Sequence, residues 1–312
     1  MNPALLAIEI GGTKLQLVVG DASGGIARRW RSDVDAAAGG AGIRSQIEQA
    51  LPAILREHDI VAVGVGYGGP VDWHTGRISC SHQVKGWADF PLGDWLRERT
   101  RRPVSIDNDA NVATLGESIC GAGRGHSPVF YVTLGSGVGG GLTVGGCIYH
   151  GAEPGESEIG HLRLDREGTI VEQRCSGWAV DARIRALAKS EPSSILARLV
   201  SGSSRGEACQ IAPALRENCP VTQRLLESVA ADLAFALSHM VHLIHPQRII
   251  LGGGLALVGE PLRAAVAAAL SRFVMDAFAP GPLVNLSALK EDAVPVGALL
   301  LAAQQLDHPA AA

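Results

Sequence analysis

The chain has 312 residues, 46% hydrophobic and 19% charged, enough to bury a large core and to fill two lobes of ordinary domain size. A formal net charge of −4 leaves no surplus of Lys and Arg, which argues against nucleic acid or an anionic membrane as partner and points to a small diffusible molecule. Met1-Asn2-Pro3 and the apolar Ala4-Leu5-Leu6-Ala7-Ile8 carry no basic leader and soon reach Glu9. A cytoplasmic protein is therefore expected, with this segment as its first strand and neither a signal peptide nor a membrane span.

In chain order, residues 5–10 and 15–19 are short apolar runs joined by Gly11-Gly12-Thr13-Lys14, a strand, a glycine turn and a strand. A helical pattern over 43–57, a buried strand over 60–65, a short strand over 103–106, and a helix opening at Asp109 follow. About 125 residues after the first unit its plan recurs: a run over 129–134, then Gly135-Ser136-Gly137-Val138-Gly139-Gly140-Gly141, then a strand over 142–144. Helices over 176–188 and 222–244, a strand over 248–251, a helix over 261–273, a strand over 283–286 and a closing helix over 294–306 complete the chain. This alternation predicts an α/β fold with a duplicated β-rich core. One lobe is expected over 1–115, joined by the closing helix, and a larger one over 116–293, with a hinge at Gly121-Ala122-Gly123-Arg124-Gly125 and a cleft between them.

Gly135-x-Gly137-x-x-Gly140 fits a dinucleotide-binding pattern only in spelling, because that pattern needs a helix after the loop and a strand follows here. No Gly-Lys-Ser/Thr of a Walker loop occurs. Two strand–glycine–strand turns remain, whose backbone N–H groups can approach phosphate oxygens with no Cβ in the way. A third glycine run, Leu251-Gly252-Gly253-Gly254-Leu255-Ala256, lies between a strand and a helix and can approach an adenine or its ribose. Asp107-Asn108-Asp109-Ala110-Asn111 joins a strand to a helix, where Asp109 is expected at the N-cap. The six cysteines, Cys80, Cys120, Cys147, Cys175, Cys209 and Cys219, are far apart and contain no C-x-x-C pair, which predicts reduced, mostly buried thiols. His239 and His242 share a helix, but only Asp232 stands near helical spacing from them, so no metal site is expected there.

Five of these segments, in order, resemble the ROK family of bacterial repressors, open reading frames and sugar kinases. They are Glu9 to Lys14, Asp107 to Asn111, Thr133 to Gly141, Gly155-Glu156-Ser157-Glu158-Ile159-Gly160-His161, and Leu251 to Ala256. The resemblance implies a two-lobed actin/hexokinase-like ATPase fold, a homodimer, and ATP with Mg²⁺ transferring phosphate to a small-molecule sugar. It makes Asp109 the general base, with Asn108, Glu158, His161 and Glu172 completing the sugar site. Gly11, Gly12, Thr13 and Lys14 would face phosphate, as would Thr133, Gly135, Ser136 and Gly137, while Gly253 and Gly254 would face adenosine. The sequence departs from the family pattern at Glu9, where an Asp is usual, and after His161, where a cysteine-rich zinc stretch is missing. No structural zinc is expected.

The implied substrate is glucose or a glucose-like sugar, phosphorylated at the 6-hydroxyl. An amino sugar such as kanosamine or glucosamine is the alternative, since an ammonium among three carboxylates gains a charge-assisted hydrogen bond. A catalytically silent sugar sensor is a further alternative. A repressor is not expected, because eight residues precede Glu9, too few for a DNA-binding module.

Overall fold

The structure is a computed structural model that describes residues 3–35, 37–79, 84–152, 157–203 and 205–307. Its elements run β1 (Ala4–Ile10), β2 (Lys14–Gly20), β3 (Ile26–Asp33), α1 (Gly39–Glu57), β4 (Ile60–Tyr67), β5 (Val71–Asp72), β6 (Arg77–Ile78), α2 (Leu92–Thr100), β7 (Val104–Asn108) and α3 (Asp109–Cys120). They continue with β8 (Val129–Leu134), β9 (Val138–Val144), β10 (Cys147–Ile148), α4 (Val171–Cys175), α5 (Gly177–Ser190), α6 (Ile195–Leu199), α7 (Ile211–Arg216), α8 (Pro220–Ile244), β11 (Arg248–Gly252), α9 (Glu260–Leu270), β12 (Leu283–Leu286) and α10 (Ala293–Asp307). Two compact units result: one of Met1–Gly125, Gly141–Glu156 and Glu291–Ala312, the other of His126–Gly140 and Ser157–Lys290.

In the first unit the sheet order is β3-β2-β1-β4-β7, with β1 antiparallel to β2 and parallel to β4. Alternate side chains of β1 serve opposite faces, as the two-residue strand period requires. Leu6, Ile8 and Ile10 join Ile43, Ile47, Leu51 and Ile54 of α1 in one buried cluster. Leu5 and Ala7 join Val112 of α3 and Ala298, Leu299 and Ala302 of α10 in another. Burial on both sides explains why β1 reads as a continuous apolar run. α10 crosses α3 closely enough that a Cβ on Gly297 would meet the Val112 carbonyl oxygen at 1.8 Å.

The other five-stranded sheet has the order β10-β9-β8-β11-β12, the same as the first when each is counted from its own leading strand. The duplication read from the two glycine turns therefore holds at the level of topology. β11 lies parallel to both β8 and β12. α8 opens on Pro220 at its first position, where the missing N–H costs no helical bond. It buries Leu225, Val229, Leu233, Leu237 and Val241 at four-residue spacing, the stripe of an amphipathic helix.

Several expectations need correction. β9 begins at Val138, so half of the second glycine run is strand. The helix expected over 43–57 starts at Gly39, and the one expected to reach 273 ends at Leu270. Thiols are less buried than expected: Cys175 and Cys219 are buried, but Cys147 and Cys209 are exposed, and Cys120 is intermediate. Cys80, Gly155 and Glu156 lie outside the described residues. No helix among the described residues is long and apolar enough to cross a membrane.

Candidate active site

β1 and β2 are joined by a turn in which the Gly11 N–H donates to the Lys14 carbonyl at 2.9 Å. The strands carry their own charge pair across it. The Lys14 ammonium lies 2.9 Å from Glu9 Oε1, and Gln16 donates to Glu9 Oε2 at 2.7 Å. Lys14 is thus engaged with Glu9, while Thr13 uses its carbonyl to accept from Val34.

β7 delivers the acidic segment beside this turn. The N-cap of α3 is Asn108, not Asp109: the Asn108 side-chain oxygen accepts from the Ala110 N–H at 2.8 Å and the Asn111 N–H at 3.4 Å, and its amide donates to the Gly69 carbonyl. An amide side chain satisfies the free N–H groups of a helix start as well as a carboxylate does, which leaves Asp109 at the first helical position. A Cβ placed on Gly68 would meet Asp109 Oδ2 at 3.4 Å and Gly11 Cα at 3.5 Å. Gly68 therefore lies between the Asp109 carboxylate and the first glycine turn.

In the second unit, the turn from β8 to β9 is closed by the Gly135 N–H donating to the Gly137 carbonyl at 3.0 Å. Glu172 of α4 reaches into it. Its Oε2 accepts the Val138 N–H at 2.9 Å, and a Cβ on Gly137 would collide with that same oxygen at 2.4 Å. Glu158 precedes the 3-10 turn Ile159–His161 and His161 ends it, and both are exposed. A Cβ on Gly160 would strike the Val138 carbonyl at 2.1 Å, so this turn packs directly on β9. The 3-10 turn that carries His161 and follows Glu158 thus packs on the start of β9, where Glu172 is bonded.

The third glycine run abuts the same turn through Gly253, whose nearest neighbour is the Leu134 backbone. A cavity of about 360 Å³ lies there, lined by Gly135, Ser136, Gly254, Trp178, Asp181 and Cys209, among others. Asp181 accepts from the N–H groups of Gly206 and Ala208 at 3.0 and 2.7 Å, fixing one wall. Gly177 donates to the Gly135 carbonyl at 2.7 Å, and Thr133, next to last in β8, pairs with Gly252 of β11. Sequence reasoning missed Trp178, Asp181 and Cys209; an Asp standing among the apolar positions Val180 and Ile184 of a helix was the available signal for one of them. It also missed His150, whose Nε2 lies 2.6 Å from Asp107 Oδ2.

Two ionisable groups near these elements are displaced. The Thr75 hydroxyl bonded to Asp72 holds that carboxyl below the usual range. Burial pushes the Cys175 thiol up to about 12. Among the described residues, no group of three or more His, Cys, Asp or Glu is placed to hold a metal ion. In each unit, then, backbone N–H groups at a glycine turn stand with carboxylates beside them, Glu9 and Asp109 at the first turn and Glu172 at the second. Such an array can hold phosphates, hydrogen-bond hydroxyls and accept a proton.

The chain is 30% identical to a glucokinase from Halalkalibacterium halodurans, over 96% of this chain and 95% of that protein. It is 32% identical to a glucokinase from Streptomyces coelicolor, over 83% of this chain and 85% of that protein. The structure of a ROK family glucokinase from Streptomyces griseus in complex with glucose and AMPPNP superposes with a TM-score of 0.84 at 29% identity, covering 96% of this chain and 99% of that one. The fold shared with such kinases is the actin/hexokinase-like one. Since residues 5–305 match the ROK family from its first glycine turn to its closing helix, this chain belongs to the ROK family.

Proposed function

We propose that the chain transfers the γ-phosphate of ATP to the 6-hydroxyl of glucose or a glucose-like sugar, with Asp109 as the general base. That it is an ATP-dependent sugar kinase rests on its family and its glucokinase relatives. The observation that supports the base is the position of Asp109 next to Gly68 and Gly11, an acid beside a turn suited to phosphate. Phosphoryl transfer needs mainly positioning and charge stabilisation. Asn108 and Asp109 would hold and deprotonate the hydroxyl, and Glu158, His161 and Glu172 would take the other ring hydroxyls. The cavity at Gly253 and Gly254 would take the nucleoside, with phosphates at both glycine turns.

Mg²⁺ would arrive on the phosphates of ATP. The Glu9 carboxylate suits an outer-sphere place, because its two oxygens each spend one lone pair on Lys14 or Gln16 and keep another for water. Its role would be to neutralise phosphate charge. A cytoplasmic homodimer without structural zinc belongs to the same reading. An amino sugar such as glucosamine or kanosamine is the second reading, favoured by the Glu172 carboxylate at the second glycine turn and by Glu158 at the start of the 3-10 turn that packs on β9.

An ADP-release assay across glucose, mannose, fructose, glucosamine, kanosamine and the N-acetylated hexosamines tests the substrate. Glucose or one of its free amino derivatives should give the highest kcat/KM. An N-acetyl sugar or fructose ahead by more than about tenfold would overturn the assignment. Asp109→Asn tests the base: turnover should vanish while sugar affinity stays within about tenfold, because a general base acts mainly in the transition state. More than about a tenth of wild-type kcat in this variant would remove Asp109 from the chemistry.

A further inference from the structure

Asp107 and His150 form a pair that the reaction as described does not use. The Asp107 side chain, at the end of β7 just before Asn108, is 3% exposed. Its Oδ1 accepts from the Asn108 N–H at 2.8 Å and from Asn111 Nδ2 at 3.0 Å. Its Oδ2 faces His150 Nε2 at 2.6 Å. A carboxylate only accepts, so that nitrogen of His150 carries the hydrogen. The imidazole is held in turn by Trp73, stacked at 4.0 Å with 10° between the planes. Trp73 sits in the turn between β5 and β6, where Asp72 accepts from His74 and Thr75.

These bonds act on the place where the chemistry would begin. The Oδ1 contacts fix the peptide of Asn108 and the side chain of Asn111, and Asn108 caps the helix whose first residue is Asp109. A buried carboxylate deprived of its Oδ2 donor turns to recover one, and its Oδ1 bonds turn with it. We propose that His150 is a positioning residue, which acts through Asp107 and under the Trp73 ring to aim Asn108 and Asp109 at the acceptor hydroxyl. The inference rests on Asp109 being the base. A misaimed base is felt in the transition state, so the loss falls on kcat more than on sugar binding.

The test uses the full chain and the variants His150→Ala, His150→Gln, Asp107→Asn and Asp109→Asn. Melting temperature, kcat, and calorimetric affinity for glucose, or for glucosamine if that is the better acceptor, are measured for each. His150→Ala should lower kcat roughly 10- to 100-fold with affinity within about threefold. His150→Gln, whose amide can still donate to Oδ2, should recover a large part of it, and Asp107→Asn should resemble His150→Ala. A kcat within about twofold of wild type in His150→Ala, equal kcat in the Gln and Ala variants, or affinity falling in step with kcat would each overturn the proposal. Asp109→Asn separates the two readings. If it stays active the base assignment fails; if it is inactive while His150→Ala turns over normally, only the positioning role fails.

Discussion

Replacing Gly253 with alanine should damage the third glycine run far more than the same change at the adjacent Gly254. Gly253 has φ 79° and ψ 178°, a region that essentially only glycine occupies, so an L side chain there costs about 1–3 kcal/mol. The new Cβ would lie 2.6 Å from the Leu134 nitrogen and 2.7 Å from its carbonyl carbon and oxygen. Those atoms are backbone of β8 and cannot rotate away, so the start of the third glycine run must be pushed off the second turn, adding about 1–3 kcal/mol of overpacking. Together these give roughly 2–6 kcal/mol, or a fall in Tm of about 3–9 °C for a chain of this length. KM for ATP should rise as the cavity wall shifts. Gly254→Ala is the internal control, since a Cβ there meets nothing within 4 Å. The two variants are compared by thermal melting and by steady-state kinetics at saturating sugar. A Gly253→Ala protein that melts within about 2 °C of wild type, with an unchanged KM for ATP, would refute the reasoning.

Further outcomes follow from other parts of the molecule. Protein purified without chelator should contain no stoichiometric zinc, because a structural site normally takes four ligands and no cysteine stands between His161 and Glu172; elemental analysis near one zinc per chain would overturn this. At pH 8, a thiol reagent should label the exposed Cys147 and Cys209 and spare Cys175, whose thiol burial holds at about 12. AMPPNP should protect Cys209, which lines the cavity, and leave Cys147 labelled as before; peptide mapping that finds Cys209 equally labelled would take the nucleotide out of that cavity. The carboxyl of Asp72 is held low by the Thr75 hydroxyl, so its support of the Trp73 turn is complete above the ordinary carboxylate range and is lost as pH falls through the lower, folded value. Acid titration of tryptophan emission should show a step below about pH 4 that Asp72→Asn lacks; an identical step in both would dissociate Asp72 from that turn.

The sequence made legible what depends on local period and on glycine. β1, β2, β8 and β11 announce themselves because burial on both faces demands unbroken apolar runs, and α8 because its buried stripe repeats every fourth residue. β3 did not, because its sequence Ile-Ala-Arg-Arg-Trp-Arg-Ser-Asp alternates exposed and half-buried residues at a sheet edge, and nothing apolar marks it. The crowding of Asp and Asn over 107–111 was visible, but its internal division of labour was not. Which residue caps the helix depends on side-chain torsions that composition does not encode. His150 was invisible for another reason: its partner lies 43 residues away, and a pair at that distance leaves no trace in the spacing of either segment.

The two glycine turns occupy equivalent places in two sheets of the same strand order, yet they are charged differently. At the first turn the acid is internal: Glu9 and Lys14 stand on the strands that the turn joins and bond to each other, so the pair is near neutral and its geometry is set by strand register alone. At the second turn the acid is imported. Glu172 comes from α4, and its oxygen takes the Val138 N–H, one of the backbone donors at the end of the turn. A carboxylate placed on such donors opposes phosphate binding at that spot through like charge, unless its other lone pairs are engaged by hydroxyls or by a cation. A sugar on Glu172 would supply such hydroxyls. The same residue that would recognise the acceptor thus stands where it can make the second turn more or less receptive to phosphate, a coupling for which the first turn, with its internal ion pair, has no counterpart.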